Sequence, residues 1–190
     1  FHARGASGFV APMIESPYAL RCFLDAVAAV VPGRPNLGIN IETASAVDKL
    51  DAMLTVEGVD ALSFVNVGRS DLAASMGCGS VDDPAVTEAT CTVIARVQEA
   101  GLSAHVGGCV TPVTLAPILA RVKPDGFHTR FLAFDRADDG TVTAALHTEI
   151  SLLELHDSEY EGHVPRASDK KAGRLLKDAP MDVAMPAVAR

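Results

Sequence analysis

The chain has 190 residues, of which 48% are hydrophobic and 21% are charged, and its formal net charge is −8 at pH 7. This length and this apolar fraction are typical of one globular domain with a sizeable core. The acidic balance argues against nucleic acid or a membrane surface as a partner, and no apolar run approaches the ~20 residues of a transmembrane helix. Four widely spaced cysteines and the lack of a secretory signal predict reduced thiols in the cytoplasm.

The first predicted unit is a strand followed by a helix. Residues 8–14 are mostly apolar and predict the strand. Ser16 is a favourable N-cap and Pro17 suits the first helical position, so a helix begins there and ends at the Pro-Gly-Arg-Pro segment 32–35. Glu15 stands at the end of the strand, where it either leads into the Ser16 cap or binds a metal through water.

The second predicted unit has the same form. Residues 37–41 predict a short apolar strand, and Glu42 follows it directly. The spacing of Val47, Leu50 and Leu54 predicts one helix between this strand and the next.

The third predicted strand completes a βαβ unit. Residues 59–67 are rich in apolar residues, the run breaks at residues 68–70, and Asp71 follows. Two strands joined by a helix pair in parallel, so Glu42 and Asp71 leave the same end of the sheet, where parallel α/β folds place their chemistry. Two carboxylates there suit a hard cation such as Mg²⁺. The alternative is that they only cap or open the helices that follow them.

The rest of the chain continues the alternation of strands and helices. The remaining predicted elements are a helix over residues 84–100, a strand over 102–106, a helix over 112–122, a strand over 127–134 and a helix over 142–160. About five strand–helix units in succession indicate a parallel α/β fold.

Two of these segments resemble the core of the HpcH/HpaI aldolase and citrate lyase β-subunit family. Ile41-Glu42-Thr43 is similar to a strand end that supplies a metal-binding Glu in that family. The turn GRSDLAASMG, residues 68–77, is similar to one that supplies a metal-binding Asp. The intervening EGVDAL and the earlier APMIES are similar to further family segments, in the same order.

The resemblance implies a (β/α)₈ barrel of the TIM type that is incomplete here. APMIES matches the fourth strand of the family barrel, so the chain corresponds to about the last five βα units plus a C-terminal helix. We expect residues 1–160 to form the partial barrel and residues 161–190 to form a partly helical or loosely ordered tail. Because the sequence begins at Phe1 rather than Met, we expect it to be a truncated reading frame, a processed product or part of a longer chain.

The resemblance also implies a reaction. Family members reversibly cleave a 2-oxo acid to pyruvate, or a related 2-oxo acid, and an aldehyde. Mg²⁺ or Mn²⁺, here held by Glu42 and Asp71, stabilises the enolate. Family members are often homo-oligomers. The alternatives are an acyl-CoA lyase similar to citrate lyase or malyl-CoA lyase, and an inactive fragment or a module that only binds a 2-oxo acid.

The other expected site residues lie around the metal pair. The backbone N–H groups of Gly68 and Ser70 are placed to bind a substrate carboxylate. Pro12 and Glu15 belong to the APMIES strand end and are expected to bind substrate. Arg69 is either a solvated side chain or a local substitute for a basic residue that the family takes from an earlier strand, which this chain lacks together with the usual His base.

Four further residues are candidates for a functional or a structural role. His105 is either a satisfied histidine of the core or a base. His128 and Arg130 alternate along the last strand and share a face, where Arg130 binds an anion or forms an ion pair. Cys109 is a nucleophile only if the fold brings a base to it.

Overall fold

A computed structural model describes residues 6–129 and 132–135. They form one six-stranded sheet in which the strands follow the order of the chain. The strands are β1 (Gly8–Ala11), β2 (Asn36–Ile41), β3 (Phe64–Gly68), β4 (Ser103–Gly107), β5 (Gly126–His128) and β6 (Ala133–Asp135). The helices are α1 (Pro17–Val30), α2 (Ala44–Asp48), α3 (Leu50–Leu54), α4 (Arg69–Ser75), α5 (Pro84–Glu99) and α6 (Pro112–Val122). Strands β1 to β5 are parallel, and β6 is antiparallel to β5. None of the helices in this part of the chain is long and apolar enough to cross a membrane.

Side-chain caps fix the starts of several helices, and the cap predicted at Ser16 is confirmed. Ser16 Oγ accepts a hydrogen bond from the N–H of Ala19 at 3.1 Å, at the start of α1. Thr111 and Thr114 form a reciprocal capping box at the start of α6. Each cap satisfies a backbone donor that the first helical turn leaves free, a contribution of about 1 kcal/mol.

The outer face of the sheet packs against the helices and carries the hydrophobic core. Its strand residues are apolar and almost completely buried, namely Ile39, Ile41, Val65, Val67, Ala104, Val106 and Phe127. They belong to one cluster with helical residues such as Leu20, Met53 and Leu72. Burying one such side chain contributes roughly 1.5–3 kcal/mol, so this face supplies most of the apolar stabilisation of the sheet.

On the inner face, the row nearest the amino ends of the strands holds Gly38, Phe64 and Ser103. Nearer the carboxyl ends, the inner face carries glycine and polar residues, which the strand register places in two rows. The lower row consists of Asn40, Asn66, His105 and Gly126. The upper row, one step nearer the carboxyl ends of the strands, consists of Glu42, Gly68, Gly107 and His128. The end of the sheet at which the sequence predicts the site therefore holds a carboxylate, an imidazole and two glycines.

The prediction of one continuous helix after Glu42 is wrong. The chain leaves helical geometry at Lys49, where ψ is 5°, and the segment forms the two short helices α2 and α3. The strand predicted over residues 59–67 begins only at Phe64, because Val59–Ala61 forms a 3₁₀ turn. Gly58 precedes that turn with a φ of +82°, a left-handed conformation that glycine adopts without strain.

The prediction of one strand over residues 127–134 is also wrong. Thr129 donates its N–H to the carbonyl of Leu132 at 2.9 Å, and this turn folds β6 back onto β5. The argument that His128 and Arg130 share a face assumed one continuous strand and no longer applies. Arg130, the predicted helix over 142–160 and the tail all lie outside the described residues, so the domain boundary at residue 160 stays a prediction.

Candidate active site at the carboxyl ends of the strands

Glu42 follows β2 directly and is the buried carboxylate of the site. Only 4% of its surface is exposed. One carboxylate oxygen accepts the backbone N–H of Met13 at 2.8 Å, and the other accepts the side-chain amide of Asn40 at 3.2 Å. No Lys or Arg among the described residues forms an ion pair with it. A buried negative charge held by neutral donors alone is costly and favours a bound cation.

Two backbone features make room for this carboxylate. Strand β1 ends at Ala11, earlier than predicted, and Met13 adopts a φ of +53° that directs its N–H to Glu42. Gly68, the neighbour of Glu42 in the upper row, has no side chain. A Cβ at this position would lie 2.5 Å from Glu42 Oε2 and 2.9 Å from Glu42 Cβ. The glycine predicted to bind substrate is therefore also required for packing beside Glu42.

Asp71 lies in the first turn of α4, which begins immediately after β3. Its side chain is exposed and has no ion-pair partner among the described residues. Glu42 and Asp71 thus follow neighbouring parallel strands, as predicted. No group of three or more His, Cys, Asp or Glu residues with the geometry of a metal site occurs in the described residues. Two uncompensated carboxylates still fit Mg²⁺ or Mn²⁺, because these hard cations take oxygen ligands and retain several waters.

Arg69 is buried beside the predicted metal pair. Its Nε and Nη2 donate to the carbonyl oxygen of Gly108 at 3.3 and 3.0 Å, and Nη1 lies 3.6 Å from Asp82 Oδ1. Burial lowers the pKa of Arg69, and Asp82 and Cys109 partly oppose this effect. The guanidinium therefore holds the loop after β4 against the start of α4. Its predicted catalytic role stays a prediction, and these contacts support a positioning role.

The loop after β4 also covers the predicted carboxylate-binding turn. A Cβ at Gly108 would lie 2.6 Å from the backbone nitrogen of Ser70 and 2.9 Å from that of Arg69. Ser70 Oγ lies 3.6 Å from the Sγ of Cys109, whose φ is +52°. Gly108 and Cys109 therefore lie beside the N–H groups of this turn.

The residues predicted from the APMIES segment lie on the rim of the sheet. Pro12 and Glu15 are both exposed. Glu15 Oε1 accepts the hydroxyl hydrogen of Thr43 at 2.6 Å, and Thr43 in turn caps α2. Ser16, and not Glu15, caps α1. Glu15 thus links the ends of two neighbouring strands, and its substrate-binding role stays a prediction.

An amide chain extends from Glu42 along the lower row. Asn40 donates to Glu42, so its own carbonyl oxygen faces Asn66, which donates to it at 3.1 Å. A carboxylate only accepts hydrogen bonds, and this fixes the orientation of both amides. Asn66 Oδ1 is left buried, without a hydrogen-bond partner among the described residues. Sequence reasoning did not single out either asparagine, although their position two residues before Glu42 and Gly68 marks them as inward-facing.

His105 and His128 are brought together by the pairing of β4 with β5. His105 Nδ1 lies 3.0 Å from His128 Nε2, and His105 Nε2 lies 2.9 Å from the hydroxyl of Ser103. Burial and the neighbouring His105 lower the pKa of His128 to about 4, with Asp135 opposing. Burial also lowers the pKa of His105. Both rings are therefore neutral at pH 7.

The fold and the position of the site define a class, the α/β proteins of the (β/α) barrel type with chemistry at the carboxyl ends of the strands. The sequence profile of the HpcH/HpaI aldolase/citrate lyase family matches residues 2–115. This match spans more than half of the sequence, and the chain belongs to that family.

Relatives and solved structures agree with this assignment. A stretch of 69 residues is 39% identical to the hydroxypyruvate/pyruvate aldolase of Roseovarius nubinhibens, and it covers 36% of this chain and 26% of that protein. The matched stretch therefore spans about a quarter of the relative.

Two crystal structures share the fold. An HpcH/HpaI aldolase from Desulfitobacterium hafniense aligns with a TM-score of 0.55 and 20% identity, over 85% of this chain and 67% of that one. An HpcH/HpaI aldolase/citrate lyase family protein from Burkholderia cenocepacia aligns with a TM-score of 0.54 and 19% identity, over 80% and 66% of the two chains. The curled sheet of the present chain is thus an incomplete barrel of this type.

Proposed function

We propose that this chain is a metal-dependent carbon–carbon lyase of the aldolase type. Its reaction is the reversible cleavage of a 2-oxo acid to pyruvate, or a related 2-oxo acid, and an aldehyde. The observation that carries the proposal is Glu42, a carboxylate that is 4% exposed, held by two neutral donors and without a described cationic partner. Family membership and the similarity to a hydroxypyruvate/pyruvate aldolase support the reaction class.

In this proposal Glu42 and Asp71 hold Mg²⁺ or Mn²⁺. The cation would act as a Lewis acid toward the oxygens of the 2-oxo acid. Met13 and Asn40 orient the carboxylate of Glu42, and Gly68 leaves the space that this side chain occupies.

The remaining predicted residues surround this pair. We assign substrate binding to the backbone N–H groups of Gly68 and Ser70, with Pro12 and Glu15 on the neighbouring rim. Arg69 supports them by fixing the loop at Gly108. A direct catalytic role for Arg69 and for Arg130 is also part of the proposal, and each role requires a separate substitution to test it.

We further propose that the chain acts in the cytoplasm as a homo-oligomer. Its four cysteines are all free, which suits a reducing compartment. Strand β1 lies at one edge of the sheet, and Val10 and Met13 there are about half exposed, at 47% and 51%. An apolar sheet edge of this kind calls for cover by another surface.

The test is titration of the purified chain with Mn²⁺, followed by electron paramagnetic resonance, with and without oxalate. Oxalate imitates the planar enolate of pyruvate. The expected result is that Mn²⁺ binds and that oxalate tightens the binding. Glu42→Gln keeps the shape of the side chain and removes its charge, so it should weaken Mn²⁺ binding at least about tenfold, a loss of ~1.4 kcal/mol. Asp71→Asn should act in the same direction.

Glu57→Gln is the matched control, because Glu57 is exposed and lies beyond α3. It should leave the Mn²⁺ affinity unchanged. Equal affinity in Glu42→Gln and in the parent chain would refute the metal assignment. Cleavage of acyl-CoA esters, and not of 4-hydroxy-2-oxo acids, by the metal-loaded chain would move the assignment to the citrate lyase type.

A further inference from the structure

Among the described residues, the upper row carries side chains only at its two ends, those of Glu42 and His128. Gly68 and Gly107 pair directly across β3 and β4, and neither has a side chain. A Cβ on Gly107 would lie 3.3 Å from Asn66 Oδ1 and 3.5 Å from His128 Cβ. The stretch between Glu42 and His128, called the groove below, therefore presents backbone at both glycines, with the Glu42 carboxylate lying against Gly68 and the unpartnered oxygen of Asn66 beside Gly107.

The imidazole of His128 extends from β5 over β4 and packs against two rings of the inner face. Its ring centroid lies 5.1 Å from that of His105 on β4 and 5.0 Å from that of Phe64 on β3, with the rings edge to face. The ring of His105 stacks on that of Phe64, with 4.8 Å between the ring centroids. Among the described residues, His128 is thus the titratable side chain of the upper row at the opposite end from Glu42.

The hydrogen bonds of the two histidines admit two tautomeric arrangements, which differ in whether Nδ1 of His128 carries a proton. Between two neutral rings, one nitrogen donates and the other accepts. When His105 donates from Nε2 to the hydroxyl of Ser103, its Nδ1 accepts the Nε2 hydrogen of His128. His128 Nδ1 then carries a lone pair, and it has no hydrogen-bond partner among the described residues. This arrangement makes Nδ1 a base, because neither neighbour takes up its lone pair.

We propose that His128 is the general base of the lyase reaction, with His105 and Ser103 as its positioning residues. In the cleavage direction, Nδ1 takes the proton of the substrate's 4-hydroxyl group. The O–H bond breaks as an N–H bond forms, the C3–C4 bond breaks, and its electron pair moves into the enolate of the 2-oxo acid. The same proton then passes from His128 to C3, which yields pyruvate and restores the neutral ring. This inference rests on the proposed function.

The other described candidates are less suited to this role. Both ring nitrogens of His105 form hydrogen bonds, and the residue is 5% exposed. Among the described residues, the thiol of Cys109 forms a hydrogen bond only with the hydroxyl of Ser70, so no base lies beside it. A pKa of about 4 gives His128 the basicity of a carboxylate, a common class of catalytic base, and keeps it unprotonated at neutral pH.

The test measures the partial reaction that needs no aldehyde. In D₂O, proton NMR follows the exchange of the methyl protons of pyruvate in the presence of the chain and Mg²⁺. His128→Gln should slow the exchange at least about 100-fold, the usual contribution of a general base, while the Mn²⁺–oxalate affinity stays unchanged. Phe64→Leu alters the packing of both rings but keeps the imidazoles, and it should slow exchange less than tenfold. Thermal unfolding verifies that each variant is folded, and His128→Asn repeats the test with a shorter side chain.

A second measurement uses the metal-free parent chain. Nitrogen-15 NMR of the imidazoles at pH 7 should show a neutral His128 with an unprotonated Nδ1. A doubly protonated His128 would overturn the inference, and this result does not depend on whether the variants fold. So would a parent chain that binds Mn²⁺ and oxalate but exchanges no pyruvate protons, or a His128→Gln variant that exchanges at the parent rate. Failure of the parent chain to bind Mn²⁺ and oxalate would instead overturn the proposed function, and this inference with it.

Discussion

The two faces of the sheet are built from alternate residues of the same strands, yet they differ in almost every physical respect. On the outer face, Ile41 and Val67 are 0% exposed and pack against helices. On the inner face, their sequence neighbours Glu42 and Gly68 form a polar site around a buried charge. One face therefore stabilises the fold, and the other buries a carboxylate at a cost that its two neutral hydrogen bonds offset only in part.

This division means that stability and chemistry are separable at adjacent positions. Successive residues of a strand point to opposite faces of the sheet, so two residues that are adjacent in sequence lie on different sides of it. Substitutions of Ile41 and Glu42 should therefore have different kinds of consequence, although the two residues share a peptide bond.

The largest expected effect is on the outer face. Ile41→Ala removes a fully buried side chain and leaves a cavity, so the free energy of unfolding should fall by about 3–4 kcal/mol. Glu42→Gln should leave it unchanged or raise it in metal-free buffer, because the buried charge is removed while an amide of the same shape remains. Urea denaturation of both variants measures this. A larger loss for Glu42→Gln than for Ile41→Ala would contradict the division between the faces.

The next effect concerns pH and the inner face. The pKa of His128 is about 4 in the fold, against an ordinary value of 6.5, so between these values the unfolded chain binds more protons than the folded one. Stability should therefore fall as the pH drops from 6.5 toward 4, by on the order of 2 kcal/mol after allowance for partial solvent exposure. Denaturation at pH 7 and pH 4.5 gives the difference for the parent chain. In His128→Gln the difference should be smaller, and an equal difference would show that other groups cause it.

A third effect tests the packing of the upper row. Gly68→Ala places a Cβ 2.5 Å from Glu42 Oε2, so the carboxylate has to move away from Met13 and Asn40. We expect Mn²⁺ affinity to fall about tenfold, equal to ~1.4 kcal/mol. Gly79→Ala is the matched control, since a Cβ there meets nothing within 4 Å. Mn²⁺ titration compares them, and equal affinities would mean that Glu42 does not need the space at Gly68.

The smallest effect lies far from the inner face. Asp83 Oδ1 accepts the N–H of Ala85 at 2.9 Å and caps α5, a helix of the outer layer. Asp83→Ala should lower the free energy of unfolding by about 1 kcal/mol and leave Mn²⁺ affinity unchanged. Thermal unfolding and Mn²⁺ titration on the same sample provide both values. A change in metal affinity would show that the outer layer influences the site.

The sequence predicted the outer face and the helix starts better than the inner face. Apolar periodicity and cap residues such as Ser16 and Thr111 are local signals, and the corresponding elements formed where they were expected. The turn at Thr129 carries no Gly or Pro, so nothing in the pattern separated β5 from β6.

The placement of Glu42 and Asp71 at one end of the sheet could be predicted, because it follows from parallel pairing of two adjacent strands. The contact between His105 and His128 could not be predicted, because the two residues are 23 positions apart and meet only through the register of β4 with β5. The same holds for the amide chain of Asn40 and Asn66, whose separation is 26 residues. Side-chain networks across strands require the register, which periodicity alone does not supply.

The two glycines of the upper row have a consequence for how this site changes through mutation. Glycine is the smallest residue, so every replacement of Gly68 or Gly107 adds atoms to the groove and none removes them. From these two positions the groove is adjustable in one direction only, toward smaller volume. Acceptance of bulkier substrates must therefore arise at side chains that are trimmed elsewhere on the rim, and a library that aims to widen the range of aldehydes should leave both glycines untouched.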